Sequence, residues 1–271
     1  MKEYILEACV DSTESAIIAT QGGANRLELC GNLMIGGTTP SIALYKQIRK
    51  KCTNRIHVLI RPRFGDFCYT ENELEIMCEE IRMFKELGAD GVVIGALSPD
   101  GNVNWEAMDK MIEAADGLWI TMHRAFDVCR DPFAELEQCV KHGISCILTS
   151  GQKNHCLDGM SCIADLVEKA NNRIQILVGS GVSAEIIEKM YKGTGASAYH
   201  MSGKETLDSE MIYRKSGIYM GLDGLSEYSV WRTKKENIEA AVTVLERLQL
   251  ETIQRRQFGS FRNNTEAVVS V

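Results

Sequence analysis

The chain has 271 residues, enough for two average domains but also the usual length of a single α/β barrel. It is 45% hydrophobic and 25% charged, which excludes disordered, collagen-like and coiled-coil chains. Thirty basic against 37 acidic residues leave a net charge of −7, so there is no surplus of Lys and Arg for nucleic-acid phosphates or an anionic membrane. A small anionic ligand, which needs only a few placed donors, stays open. The longest clean apolar run, Gly91 to Leu97, is far shorter than the roughly 18 residues of a membrane span. Met1-Lys2-Glu3-Tyr4 runs straight into a strand-like segment with no signal-peptide core, which predicts a cytoplasmic chain. The ten cysteines include no C-x-x-C pair, which argues against a zinc ribbon or a thioredoxin-type motif. In a reducing compartment most are expected to be free thiols that pack as small hydrophobes.

Short apolar strands alternate with amphipathic helices along the chain. Tyr4–Val10 reads as a strand and Ser12–Gly22 as a helix closed by Gly22-Gly23. Asn25–Cys30 is the second strand, and Thr38-Thr39-Pro40-Ser41 opens a helix to about Lys51. Ile56–Ile60 is the third strand; Thr70 or Asn72 caps a long helix ending at Leu87-Gly88. Gly91–Gly95 and Asn104–Ala115 form the fourth unit, Leu118–Met122 and Asp131–His142 the fifth. Ser145–Thr149 and Asp158–Ala170 form the sixth, Ile174–Val178 and Ser183–Tyr191 the seventh. Ala196–His200 is the eighth strand, followed by a long loop and the helix Lys235–Leu248.

Eight βα units without a linker or composition shift predict one (β/α)8 TIM barrel over residues 1–248, with a peripheral tail over 249–271. A doubly wound sheet fits less well, because Cys9-Val10-Asp11-Ser12 has no Gly-rich dinucleotide fingerprint. No organic cofactor is indicated, and a homo-oligomer, dimer or tetramer, is expected.

Barrel sites lie at the C-terminal strand ends. Strand side chains alternate between faces, so Glu7 and Cys9 share one face of the first strand, and Glu28 and Cys30 one face of the second. Their apolar neighbours Leu6, Ala8, Leu27 and Leu29 take the helix-facing side. A closed parallel barrel has no solvent-facing strand surface, so both carboxylates should point inward, where an unpaired charge is costly. Arg61, Arg63 and Arg124 are the expected counter-charges. In Ile60–Tyr69, Arg61 and Arg63 flank Pro62 and offer fork-shaped donors for a carboxylate or phosphate, or else only neutralise Glu7 and Glu28. His123, beside Arg124 and Asp127 at the fifth strand tip, is a candidate acid/base or metal ligand, and His200 ends the eighth strand in the same way. His57 and His155 carry no comparable argument. Ser150, Gly179, Gly181 and Ser202 sit in the tips after strands six to eight, where barrels commonly cradle phosphate; glycine there can also serve only a tight turn.

Glu7-Ala8-Cys9, Arg26-Leu27-Glu28-Leu29-Cys30, Gly36-Gly37-Thr38-Thr39-Pro40-Ser41, the Ile60–Tyr69 stretch, His123–Asp127 and Leu148-Thr149-Ser150-Gly151 together resemble the CutC family, in unbroken order from about residue 4 to 245. The resemblance implies a (β/α)8 barrel, a cytoplasmic protein and a role in copper homeostasis through Cu(I) binding. Two soft thiolates suit Cu(I), and Cys9 and Cys30 fall on one face of adjacent strands about 4.8 Å apart. Arg61 and Arg63 are expected to favour their thiolates, and both thiols should be solvent-reachable.

Two functions follow. One is a Cu(I)-binding homeostasis protein using Cys9 and Cys30. The other is an enzyme of lyase, isomerase or hydrolase type acting on a small anionic or phosphorylated metabolite. In it Arg61, Arg63, Arg124, Ser150, Gly179, Gly181, His200 and Ser202 hold the anion, with Glu7, Glu28, His123 or Asp127 as acid/base.

Overall fold

Polar caps start most of the helices where the sequence places them. In this computed structural model, which describes residues 4–218, 220, 221 and 224–266 with the side chains of 255–266 excepted, Ser12, Ser41, Asn104, Asp131 and Ser183 each accept from a backbone N–H in the first turn of the following helix. Thr70 and Glu73 form a reciprocal capping box. The helices are α1 (Thr13–Gln21), α2 (Ile42–Lys51), α3 (Glu71–Glu86), α4 (Trp105–Ala115), α5 (Pro132–Lys141), α6 (Met160–Ala170), α7 (Ala184–Thr194) and α8 (Lys235–Glu266). The sixth start differs: Gly159 precedes α6 and offers no side-chain cap, so the helix begins two residues later than Asp158 suggests.

Strands β1 (Ile5–Val10), β2 (Arg26–Leu29), β3 (Arg55–Leu59), β4 (Gly91–Ile94), β5 (Trp119–Met122), β6 (Cys146–Thr149), β7 (Gln175–Val178) and β8 (Ala198–Met201) pair in chain order, all parallel. β1 also pairs with β8, which closes the expected (β/α)8 barrel. The alternation of side chains divides the interior. One parity, including Leu6, Ala8, Leu27, Ile56, Val58 and Val92, packs between barrel and helices in the main core. The other parity points down the barrel axis, where two small apolar clusters, one of Cys9, Cys30, Leu59 and Val93 and one of Cys146, Leu148, Leu177 and Ala198, flank a polar centre.

The segment between β8 and α8, which the sequence predicts as a long loop, holds an antiparallel pair, β9 (Lys204–Asp208) and β10 (Ser229–Thr233). Its strands are mostly exposed or half-buried, so no strong apolar pattern marks them. Past Leu248 the last helix continues to Glu266. No helix among the described residues is long and apolar enough to cross a membrane.

Candidate functional site

Strand parity puts Glu7 and Glu28 inside the barrel, both buried, as the sequence implies. Their counter-charges are not the expected arginines. Register sets Glu7 opposite Arg26 on β2 and opposite His200 on β8, and sets Glu28 opposite Cys9 on β1 and His57 on β3. Arg26 Nε donates to Glu7 Oε2 at 2.5 Å, His200 Nδ1 lies 2.8 Å from Glu7 Oε1, and His57 Nδ1 lies 3.9 Å from Glu7 Oε2. His200 Nε2 reaches 3.8 Å from Glu28 Oε2. Arg61 instead donates to loop carbonyls, Arg63 pairs with Asp66 and Glu73 on the outside, and Arg124 pairs with Asp127. The expectation that these three neutralise Glu7 and Glu28 is therefore corrected. The partners come from within the sheet, because β2, β3 and β8 put Arg26, His57 and His200 on the inward parity while the loop arginines lie above it.

The charges settle accordingly. Burial alone would raise the Glu7 carboxyl, but the Arg26 charge and the His200 hydrogen bond outweigh it and hold Glu7 well below the ordinary carboxylate range. Burial raises Glu28 above its ordinary value, against the opposing His200 charge. His200 is raised in turn: burial disfavours its cation, but Glu28 and Glu7 together prevail. Burial lowers His57 to about 4, so it is neutral at physiological pH.

Above this floor lies a cavity of about 570 Å3 lined by Cys9, Glu28, Arg61, His123 and His200, and also by Arg124, Gly181 and Ser202. Cys9 Sγ donates to Glu28 Oε2 at 2.9 Å and lies 3.8 Å from Cys30 Sγ. The donor atoms of Cys9, Glu28 and His200 lie within 4.8 Å of one another. Two expectations about the thiols fail. Cys30 is 0% exposed, seated behind Cys9 against Leu59 and Gly37, so it is not directly solvent-reachable. The thiolate of Cys9 is not favoured by arginines; its contact with Cys30, burial and the Glu28 carboxylate all push the thiol well above its ordinary value. Gly37 matters to this packing. Its φ is +84°, and a Cβ there would stand 2.7 Å from Leu59 Cδ2 and 3.3 Å from Cys30 Cβ.

The other predicted residues divide between mouth and scaffold. His123 caps a short 3-10 turn, accepting at Nδ1 from the Ala125 N–H at 3.1 Å. Asp127 is a hub for the neighbouring turns, accepting from Arg124 Nε at 2.7 Å, Thr149 Oγ1 at 2.5 Å, the Ser150 N–H at 3.0 Å and the Gln152 N–H at 3.1 Å. Its oxygens are engaged in holding these turns, and Ser150 Oγ accepts from Arg124 within the same network at 2.8 Å. Gly179 packs on Leu148 rather than lining the cavity, and Arg63 faces away from it. Sequence reasoning missed Arg26 and His57 on the floor, and Phe67, His155 and Lys204 in the lining. The signal for the first two was available: Arg26 shares the parity of Glu28, and His57 that of Leu59.

The sequence model of the CutC family matches residues 4–205. A CutC family protein of Pasteurella multocida is 41% identical over 242 residues, covering 89% of this chain and 99% of the relative. The human protein named copper homeostasis protein cutC homolog is 41% identical over 228 residues, 84% of each chain. The solved CutC structure of Streptococcus agalactiae superposes with a TM-score of 0.70 at 35% identity, covering 73% of this chain and 98% of that one. Thiamine phosphate pyrophosphorylase of Pyrococcus furiosus, with a TM-score of 0.52 at 15% identity, covers 91% of this chain and 97% of its own and shares the barrel fold alone.

Proposed function

The chain belongs to the CutC family, and from that premise we propose that it serves copper homeostasis by binding Cu(I) in the barrel mouth through Cys9 and Cys30. The observation that carries this reading is the pair of thiols 3.8 Å apart, Cys9 lining the cavity and Cys30 directly behind it. Cu(I) is soft and is held well by two thiolates, which select it over harder divalent ions. The alternative donor set of Cys9, Glu28 and His200 includes a hard carboxylate oxygen and suits a divalent ion better.

The surroundings fit a bound cation that carries its thiolates with it. Each thiol must give up its proton on binding, and Glu28 Oε2, which accepts from Cys9 Sγ at 2.9 Å, stands ready for the first. A Cu(I) bis-thiolate has a net charge of −1. Burying that charge is costly unless a cation compensates; His200 lies beside Glu28 and Arg26 in the layer beneath, with Glu7 already balancing part of their charge. The acid/base alternative rests on one of its four residues, Glu28, which lines the cavity and whose carboxyl burial raises. Asp127 is occupied as a turn acceptor, Glu7 is locked in its ion pair, and burial with the Arg61 charge lowers His123 to about 3, far from the operating range of a general base.

The test is a Cu(I) competition titration under anaerobic, reducing conditions, with a chelator that outcompetes the reductant. Wild type should capture Cu(I) stoichiometrically, and Cys9→Ser/Cys30→Ser should not. Equal release of Cu(I) by both proteins would reject the reading and return the two thiols to the core.

A further inference from the structure

A buried cation without a counter-charge calls for an anion. Arg61 is 8% exposed, yet its partners are all neutral. Its terminal nitrogens donate to the carbonyl oxygens of Gly37 and Gly65 at 3.0 Å each and of Gly36 at 3.4 Å. Its guanidinium stands 5.1 Å from the Phe67 ring centroid. The Tyr69 hydroxyl lies near the guanidinium but meets no hydrogen-bond geometry and carries no charge. Among the described residues no carboxylate pairs with Arg61, whereas Arg26, Arg63 and Arg124 each have one. Such an uncompensated charge is costly to bury, and the fold keeps it at the rim of a cavity.

His123 lies against the same ring, its centroid 4.9 Å from that of Phe67. The Ala125 N–H occupies Nδ1, so the neutral imidazole carries its proton on Nε2. His123 is 5% exposed, and its Nε2 has no acceptor among the described residues. A buried donor left unpaired carries a desolvation cost that a bound acceptor would recover. Arg61 and His123 thus place an unpaired charge and an unpaired buried N–H beside one cavity, whose remaining lining includes Leu33, Leu59, Leu148 and Val182 as well as Glu28, His200 and Lys204.

We propose that the mouth holds a small organic carboxylate, with its oxygens facing the Arg61 charge and accepting from the His123 Nε2–H. The geometry selects this class: two neighbouring groups without partners among the described residues, Arg61 Nε and His123 Nε2, match the two oxygens of one carboxylate. The apolar lining suits a hydrocarbon body behind the carboxylate. This site is independent of the copper reading, since it uses neither Cys9 nor Cys30.

The test follows the His123 Nε2–H resonance by NMR in the full chain while butyrate, chloride or inorganic phosphate is added at constant ionic strength. Butyrate should shift it saturably and chloride should not. Arg61→Met should weaken butyrate binding by roughly tenfold or more, the effect of losing one charge-assisted contact. Arg61 also ties the loops of Gly36, Gly37 and Gly65, so His123→Phe, which leaves those ties in place, is the second variant, read by competition of butyrate with wild type for stabilisation against urea. The response should survive in Cys9→Ser/Cys30→Ser, which separates this site from the copper reading. An equal response to chloride, no saturation with butyrate, or binding unchanged in both variants would overturn the proposal. Tighter binding of inorganic phosphate would overturn the carboxylate assignment.

Discussion

Replacing Glu7 with Gln removes the carboxylate that pairs with the buried Arg26. Glu7 accepts from Arg26 Nε at 2.5 Å and lies 2.8 Å from His200 Nδ1, in a layer closed to solvent. An amide keeps the shape, but it strands a guanidinium whose Nη2 already has no partner among the described residues. Removing one side of a buried ion pair costs about 3–5 kcal/mol, a large share of the about 5–15 kcal/mol that holds a typical domain. With a urea slope of about 3 kcal/mol/M, the unfolding midpoint should fall by about 1–1.7 M. The double variant Glu7→Gln/Arg26→Met removes the stranded charge as well and should recover most of the loss. The sign with pH also follows. Glu7 is held below its ordinary 4.5, so its stabilisation is complete above that pH and is lost as pH falls through the lower folded value. The gap between wild type and Glu7→Gln should therefore narrow in acid. A midpoint within about 0.3 M of wild type, or a double variant no better than the single, would refute the reasoning.

Three further outcomes bear on the same site. His57 is held neutral at about 4 against an ordinary 6.5, so the folded chain loses stability as pH falls from 6.5 toward 4, by roughly 1.4 kcal/mol per unit; His57→Gln should flatten this slope in urea unfolding, and an unchanged slope rejects it. Gly37→Ala forces a residue with φ +84° to carry a Cβ 2.7 Å from Leu59 and should lower stability by about 1–3 kcal/mol. The same variant should weaken Cu(I) capture by displacing Cys30, and a thermal midpoint equal to wild type would contradict the packing argument. Asp127→Asn should destabilise the β5 and β6 turns by roughly 1–3 kcal/mol while leaving Cu(I) capture intact; loss of capture at full stability would return Asp127 to the site.

Much of this molecule is legible in one dimension. The apolar runs Ile174–Val178 and Gly91–Gly95, and the caps Ser12, Thr70 and Asp131, specify strands and helix starts through local chemistry, because periodicity and capping act over a few residues. Strand parity likewise puts Glu7, Cys9, Glu28 and Cys30 inside the barrel once the barrel is assumed. Which residues meet across the barrel is not local. Arg26 and His200 balance Glu7 and Glu28, although Arg61 and Arg63 look the better partners along the chain, because closure of β1 on β8 and the register of β1 on β2 set those distances. The fate of Arg61 was equally beyond sequence, since loop carbonyls engage its two terminal nitrogens while Nε and the charge stay unpaired among the described residues. Local pattern determined the elements and their faces; only tertiary closure decided which charges cancel, which thiols touch and which donors are left facing the cavity, because burial makes an ion pair or an orphaned N–H matter only once the whole barrel excludes water.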